Sequence, residues 1–563
     1  MIEHIEQEIQ ELLAQVGVQG KIELSRPPKA EMGDFAYACF APAKEAGKNP
    51  VEFASELAEK LQSEDEGLVA DVKAFGPYVN FFLDPVLLAQ KVFTALTSSY
   101  GAHQLGAEKT CLVEFACPNP MKAFHLGHLK NLISGESVAR ILENVGYAVK
   151  RINYQGDVGM HIAKTLWGLF DLKDQFEAMK DQPLKKQVEF LGEAYAHGAR
   201  YFEKGDAEKA EVVAYNQKVY EKDESIQDVY TVARNWSLEY FDHMYKRMDS
   251  GFDRLYFESE VFTRGKELVQ EGLKEGTFKE SDGAVIFEGS AHDLHDRVFL
   301  NSKGFTTYEA KELGLAEMHV QEFHPDKVVH LVGKEQSEYF KVLFKAIDIV
   351  FPELQGKEVH LPGGFLQLKG DQKMSSRTGN VVTGDQLIDA VTDRISQIMS
   401  DNDIVQDGIL ETVSLAALKY TMLKSGVSKD VAFDIEESVS VSGNSGPYLL
   451  YTVARINSIL DKGNFSADTP VDIKSVHPAE KALLLLISEY PSRTKEAGEQ
   501  MDPSIVAQYM FDLAQQFQRF YAACSVLQDD VNIQQFRLHL ISSVKQVMVH
   551  GLNLLGITSV EHM

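Results

Sequence analysis

Apolar positions recur at helical spacing over residues 2–16 and again over 50–62, so the chain opens with two predicted amphipathic helices. Residues 72–83 instead alternate around Gly76-Pro77, which predicts a strand, a turn and a second strand. These elements make a small α/β domain over residues 1–105. At Thr110 the pattern changes. A continuous apolar run at 111–116 predicts a buried strand and Pro118-Asn119-Pro120 a turn. Leu129, Leu132, Ile133, Val138, Ile141, Leu142 and Val145 then mark the buried face of a helix. Gly146 stops that helix, and residues 149–154 read as the next strand of a β-α-β unit. Far downstream, residues 328–332, 333–336 and 338–350 repeat the order of strand, loop and helix. Two such halves predict a Rossmann-like α/β domain with a parallel sheet over 106–385. Between them, residues 184–247 are highly charged at helical period and read as a peripheral insertion with a solvated face. After Thr383 the period is helical almost throughout, at 385–400, 410–424, 448–462, 480–497, 505–524 and 536–555. That predicts an all-α helical bundle over 386–563.

Composition narrows the class of protein. A chain of 563 residues exceeds what one core organises, and no low-complexity tract interrupts it. Residues 1–17 read as an acidic helix rather than a signal peptide, and no run reaches the roughly 18 apolar residues of a membrane span. A cytoplasmic protein without a membrane partner is expected. Cys39, Cys111, Cys117 and Cys524 never fall at Cys-x-x-Cys spacing, so free thiols and no metal site are expected. The net charge of −27 argues against DNA or RNA binding by bulk charge, and any nucleic acid must meet local basic surface.

Two motifs carry candidate chemistry. His125-Leu126-Gly127-His128 falls at the turn between the first strand and its helix, where free N–H groups and the helix dipole favour anions. Gly127 would allow close approach of a nucleotide. A chance pair of capping histidines, or a metal pair, is the alternative, and the motif alone is informative without deciding between them. Lys373-Met374-Ser375-Ser376-Arg377-Thr378-Gly379-Asn380 gathers two cations, three hydroxyls and a glycine, which suits a loop closing on a triphosphate. By itself it also fits a solvated surface loop, and the conjunction of the two motifs favours phosphate chemistry.

The pair resembles the HIGH and KMSKS signatures of class I aminoacyl-tRNA synthetases. Val113-Glu114-Phe115-Ala116-Cys117-Pro118-Asn119, leading to Lys122-Ala123-Phe124-His125, is similar to the approach to HIGH in the arginyl-tRNA synthetases. So are Gly156-Asp157-Val158-Gly159 and Gly443-Asn444-Ser445-Gly446-Pro447-Tyr448. The resemblance runs nearly end to end. It implies activation of L-arginine by ATP with Mg²⁺, then transfer to the 3′ end of tRNA(Arg), with release of pyrophosphate and AMP. It further implies an additional tRNA-contacting domain at 1–105 and an anticodon-binding bundle at 386–563.

Roles follow from the resemblance residue by residue. His125, Gly127, His128, Lys373, Met374, Ser375 and Ser376 would meet ATP. Ser376 stands where KMSKS has its second lysine, and family members lacking that lysine typically carry one just before HIGH, the place of Lys122. The catalytic set is therefore His125, His128, Lys122 and Lys373. A guanidinium is a planar fork of donors that pairs with carboxylate, and Glu114 and Glu312 are the acids expected to meet it. Tyr308 and Glu312, four apart on a predicted helix, would share one face; the family has aspartate at the second place. Asn119 and Gln336 would hold the amino and carboxyl ends of the substrate beside His125, and Cys117 replaces a common serine. Tyr448, Arg455, Tyr509, Phe517, Arg519 and Tyr521 would meet tRNA by stacking and charge, with about half of them expected to be packing residues instead. A monomer is expected. Another class I synthetase, a retired paralogue that only binds RNA, and a nucleotidyltransferase that ignores tRNA are the competing readings.

Overall fold

The computed structural model describes residues 1–61, 67–369, 382–401, 408–467 and 469–563. Five parallel strands position the site: β1 (Thr110–Glu114), β2 (Ala148–Gln155), β3 (Arg254–Phe257), β4 (Lys327–Gly333) and β5 (Glu358–Gly363). Their spatial order is β5-β4-β1-β2-β3. Cys111, Leu112 and Val113 are all fully buried, as expected of a parallel strand covered on both faces. The chain winds outward in opposite directions from β1 and β4. These two neighbours form the switch point, whose carboxyl ends open a crevice for ligand.

Helix α1 (Leu126–Asn144) returns from β1 to β2 and packs tightly on the sheet. A Cβ at Gly135 would lie 2.2 Å from the Phe115 ring, so glycine is required for this approach. Gly146 ends the connection at φ +100°, a conformation that favours glycine. Three more helices serve the site: α2 (Glu258–Glu275), α3 (Tyr308–Phe323) and α4 (Ser337–Val350).

The strands β3 and β5 are absent from the sequence reading. Each is short, and β5 carries Glu358, His360 and Pro362 among its six residues, a composition that reads as loop. The charged insertion forms helices Leu184–Phe202, Asp206–Glu221 and Glu224–Arg247. Their outer faces are charged, but the solvated reading covers only half of them. Phe190, Leu191, Val219, Ile226 and Trp236 bury against Ile162, Leu166 and Phe176 in a core of their own. The helix Glu224–Arg247 also brings polar groups to the site.

At the amino end, a four-stranded antiparallel sheet in the order Leu24–Ser25, Phe35–Ala38, Tyr78–Leu83, Val69–Phe75 is covered by helices Ile2–Gln15 and Pro50–Leu61. Its buried Asp34 accepts from the Leu83 N–H at 2.7 Å and from Lys481 at 2.6 Å, tying it to the bundle helix Pro478–Gln500. At the carboxyl end, helices Gly384–Asp401, Leu410–Leu423, Gly446–Lys462, Pro478–Gln500, Pro503–Ala523 and Val531–Leu554 follow one another. The last is fastened to the back of α1, where Ser137 donates to the Leu554 carbonyl at 2.8 Å. Nearby, the buried Lys419 ammonium donates to the carbonyls of Gly556 (2.6 Å) and Met248 (2.8 Å). Among the described residues, no helix is long and apolar enough to cross a membrane.

Candidate active site

His125 caps the start of α1. Its Nδ1 accepts from the backbone N–H of Gly127 (3.1 Å) and of His128 (3.4 Å), while Nδ1 of His128 accepts from the His125 N–H (3.3 Å). The two rings stack with centroids 3.6 Å apart. A ring nitrogen that accepts an N–H carries no proton, so both neutral imidazoles keep their hydrogen on Nε2. Burial and the nearby Lys122 ammonium hold His125 below the usual histidine range, and burial with the His125 neighbour holds His128 well below it. The turn therefore presents two neutral N–H donors at the positive end of a helix, a good anion site that adds no fixed charge. Gly127 leaves room for the first of them, since a Cβ there would stand 3.0 Å from the His125 ring.

Lys122 lies beside this turn, its ammonium 5.6 Å from the Tyr195 ring. Burial and Lys164 lower its affinity for a proton. The second motif, Lys373, Met374, Ser375 and Ser376 included, lies outside the described residues. The chain on either side of it is tied to α1. Lys130, buried two residues beyond His128, donates to the carbonyls of Gly364 (2.9 Å), Val427 (3.2 Å) and Lys429 (2.7 Å). Thr383 bridges His125, and the Gly384 N–H donates to the Phe124 carbonyl at 2.8 Å.

Between the turn and the sheet the backbone is bent hard. Ala116, Cys117 and Met121 all hold positive φ (67°, 46° and 60°), a strain of about 1 kcal/mol or more apiece that concentrates at functional loops. Within this loop the Asn119 carboxamide oxygen accepts from the Gly156 N–H at 3.0 Å, which leaves its amide N–H₂ for a ligand.

At the switch point the groups are charged. Glu114 ends β1, and His330 lies opposite it on β4. His330 Nδ1 is 3.1 Å from Glu114, and its Nε2 is 2.6 Å from Glu358 on β5. The Cys117 thiol donates to Glu114 at 3.7 Å. Burial alone would raise Glu114, but the imidazolium of His330 outweighs it and the carboxyl stays below its usual range. Burial and the Glu114 charge push Glu312, on α3, well above that range. The buried phenols of Tyr154 and Tyr339 are without hydrogen-bond partners among the described residues, as are both nitrogens of His319. Burial holds His319 down to about 3. Glu258, at the start of α2, pairs with Lys311 at 2.6 Å. Asp157 is held by Ser259 Oγ (2.7 Å), Tyr230 Oη (3.2 Å) and Arg234 Nε (3.1 Å). This pocket, rich in carboxylate and lined by unsatisfied phenols, suits a cation bearing several N–H donors.

The structure brings Glu114, Cys117, Asn119 and Glu312 to one crevice. Tyr308, the first residue of α3, lies at the rim, 65 % exposed, with the Lys311 ammonium 5.0 Å from its ring. Gln336 is exposed in the turn after β4. Sequence reasoning missed His330, Glu358, Tyr154, Tyr339, His319 and His161, whose Nε2 lies 2.9 Å from the Gly156 carbonyl oxygen. The signal available was a lone polar or phenolic side chain inside an apolar strand, as in Val329-His330-Leu331. Among the described residues, no group of three His, Cys, Asp or Glu is placed to hold a metal ion.

In the bundle, Arg455 covers the Tyr521 ring at 4.2 Å and donates to Gln518 at 3.1 Å, and Arg519 is exposed. Tyr448 is half-buried, its ring 5.9 Å from that of Phe511. Tyr509 and Phe517 lie in the bundle core, Tyr509 donating to the Leu486 carbonyl at 2.7 Å.

Comparison with known proteins finds matches along nearly the whole chain. Residues 91–435 match the family model for tRNA synthetases class I (R), catalytic domain. Residues 1–83 match that for the arginyl tRNA synthetase N terminal domain, and 449–563 that for the DALR anticodon binding domain. The arginine–tRNA ligase of Treponema denticola is 32 % identical over 565 residues, covering 96 % of this chain and 95 % of the relative. That of Borreliella afzelii is 31 % identical over 559 residues, covering 95 % and 94 %. The solved arginyl-tRNA synthetase of Thermus thermophilus superposes with a TM-score of 0.80 at 25 % identity, covering 100 % of each chain.

Proposed function

The chain belongs to the class I arginyl-tRNA synthetases, and we propose that the crevice at the β1/β4 switch point performs the arginine–tRNA ligase reaction with the following division of labour. Glu114 and Glu312 receive the guanidinium of L-arginine, with the Tyr308 phenol closing the rim. Asn119 and Gln336 hold its amino and carboxyl ends by neutral hydrogen bonds, within reach of His125. The arginine carboxylate attacks the α-phosphate of ATP and pyrophosphate leaves. The terminal ribose hydroxyl of tRNA(Arg) then takes the arginyl group and AMP is released.

Little covalent work falls to side chains. His125 and His128 donate their Nε2 hydrogens to phosphate oxygens, stabilising charge as it moves onto the departing pyrophosphate. Lys122 supplies the cation that Ser376 does not, alongside Lys373, Met374, Ser375 and Ser376. Mg²⁺, carried by the oxygens of the triphosphate itself, would add to this neutralisation. The enzyme acts as a cytoplasmic monomer built of domains 1–105, 106–385 and 386–563. Arg455, Tyr521, Arg519 and Tyr448 form its RNA-facing surface in the bundle, while Tyr509 and Phe517 maintain the core beneath them.

One observation supports this reading above the others. A neutral anion site at the start of α1 and Glu114 of the buried acid pocket share one strand-turn-helix. The test is pyrophosphate exchange and tRNA charging with each amino acid, with and without total tRNA. Arginine alone should be charged; charging of lysine or cysteine, or of nothing, would sink it.

A further inference from the structure

His330 has a carboxylate at each ring nitrogen, and all three side chains are buried, with 3 % of His330, 4 % of Glu114 and 2 % of Glu358 exposed. An ionised carboxylate only accepts hydrogen bonds, so a ring bonded to one on each side carries two protons and a positive charge. The rings of Phe340 and Phe344 wall it in, with centroids 5.3 and 5.4 Å away. The titratable groups around it are Glu114 from β1, Glu358 and His360 from β5, and Glu312 and His319 from α3, with Cys117 against Glu114 and the Tyr339 phenol near Glu312 one step further out. Of these, Glu114 and Glu358 hydrogen-bond to it, and its charge acts at a distance on Glu312, His319 and His360. Neither the phosphate chemistry nor the contacts assigned above to arginine use this imidazolium.

We propose that His330 is a positioning and specificity residue of the amino-acid pocket, whose charge keeps Glu114 ionised and aimed before substrate enters. The proposal rests on the reading of this crevice as the arginine site. Three acids in one dry pocket cannot all stay ionised without a partner, since like charges and burial both favour the protonated form. An un-ionised Glu114 would present an O–H to a guanidinium that has only N–H donors, and the pocket would lose its preference for a cation. With His330 in place, one oxygen of Glu114 is committed to the ring, and the other, approached by the Cys117 thiol, stays an acceptor. Glu358, with no substrate role of its own, anchors the far side of the ring. His330 is thus the means by which Glu114 is held ready at neutral pH.

The test is pyrophosphate exchange by the full-length enzyme with tRNA present, between about pH 6 and pH 9, for wild type, His330→Gln and Glu358→Gln. Glutamine keeps a hydrogen-bond donor but not the charge. In His330→Gln the KM for arginine should rise at least about tenfold with the KM for ATP unchanged. It should also become pH-dependent, worsening as the pH falls towards 6 while Glu114 takes up a proton; in wild type it stays flat there. Glu358→Gln should move the same way by less, and it carries the test if His330→Gln fails to fold. An unchanged arginine KM in the folded variants overturns the proposal, as does a pH-independent rise shared equally with ATP, the mark of a merely structural role. Wild-type enzyme that activates no arginine would overturn the assignment of the pocket itself and the proposal with it.

Discussion

At the start of α1, His125 and His128 are neutral, fixed by their own backbone and aligned with a helix dipole; at the switch point, Glu114, His330 and Glu358 are full charges held in a buried row. The two ends of one substrate crevice thus handle charge by different means. The phosphates change their charge as the bond to pyrophosphate breaks, so donors that are polar without being ionic can favour the transition state over the bound reactant. The arginine side chain keeps one charge throughout. A static ionic pocket serves it well, and contributes selection rather than rate.

The largest expected effect that tests this contrast comes from Glu114→Gln. Removing one member of a buried ion pair costs about 3 kcal/mol or more, so kcat/KM for arginine should fall at least about a hundredfold with the KM for ATP little moved. An equal loss for both substrates would erase the distinction between the ends. Next, His128→Ala should lower kcat about a hundredfold at unchanged arginine KM, the usual cost of one lost donor to developing charge. Because burial holds both histidines neutral, kcat in wild type should be level above about pH 6.5. A rise in kcat on acidification would mean that the charged imidazoles are the active form. Lys122→Ala should cost about tenfold in arginine activation, and full activity would remove Lys122 from the charge cluster.

The smallest effect is on stability. Burial holds His319 down to about 3 and His161 to about 4, so the folded chain declines protons that the unfolded chain binds below about pH 6.5. Stability should therefore fall as the pH drops through this range, by about 1.4 kcal/mol per pH unit for each histidine. His330, raised instead, is protonated in both states there and adds no slope. Urea denaturation at several pH values should show a shallower acid limb in His319→Leu; an identical limb would contradict its neutral burial.

The same contrast explains what could be read from sequence. The histidine half of the phosphate end is local: a strand, a Pro-Asn-Pro turn and two histidines three apart compose it, and Thr110 to Gly146 spell it out in order. The acid pocket is assembled from β1, β2, β4, β5, α3 and α4, and Glu114 and Glu358 alone stand more than two hundred residues apart. Glu114, Cys117 and Asn119 stood out because they lie next to the turn, and Glu312 because it follows Tyr308 by four residues. His330 and Tyr154 did not, because a single polar residue in an apolar strand looks like an exception to the core until its neighbours are known. β5 was hidden by the residues that matter in it, since Glu358 and His360 are affordable in a strand only when His330 and the crevice receive them. In the bundle, helical spacing alone could not separate the half-buried Tyr521 from Phe517 in the core.

The most direct test of an ionic pocket is competition by citrulline, which keeps the shape of arginine but replaces the guanidinium with a neutral ureido group. Arginine charging of tRNA should be inhibited by citrulline only at concentrations at least about a hundredfold above the arginine KM, because buried carboxylates would be left without their cation. Inhibition at concentrations near that KM would contradict selection by charge at Glu114.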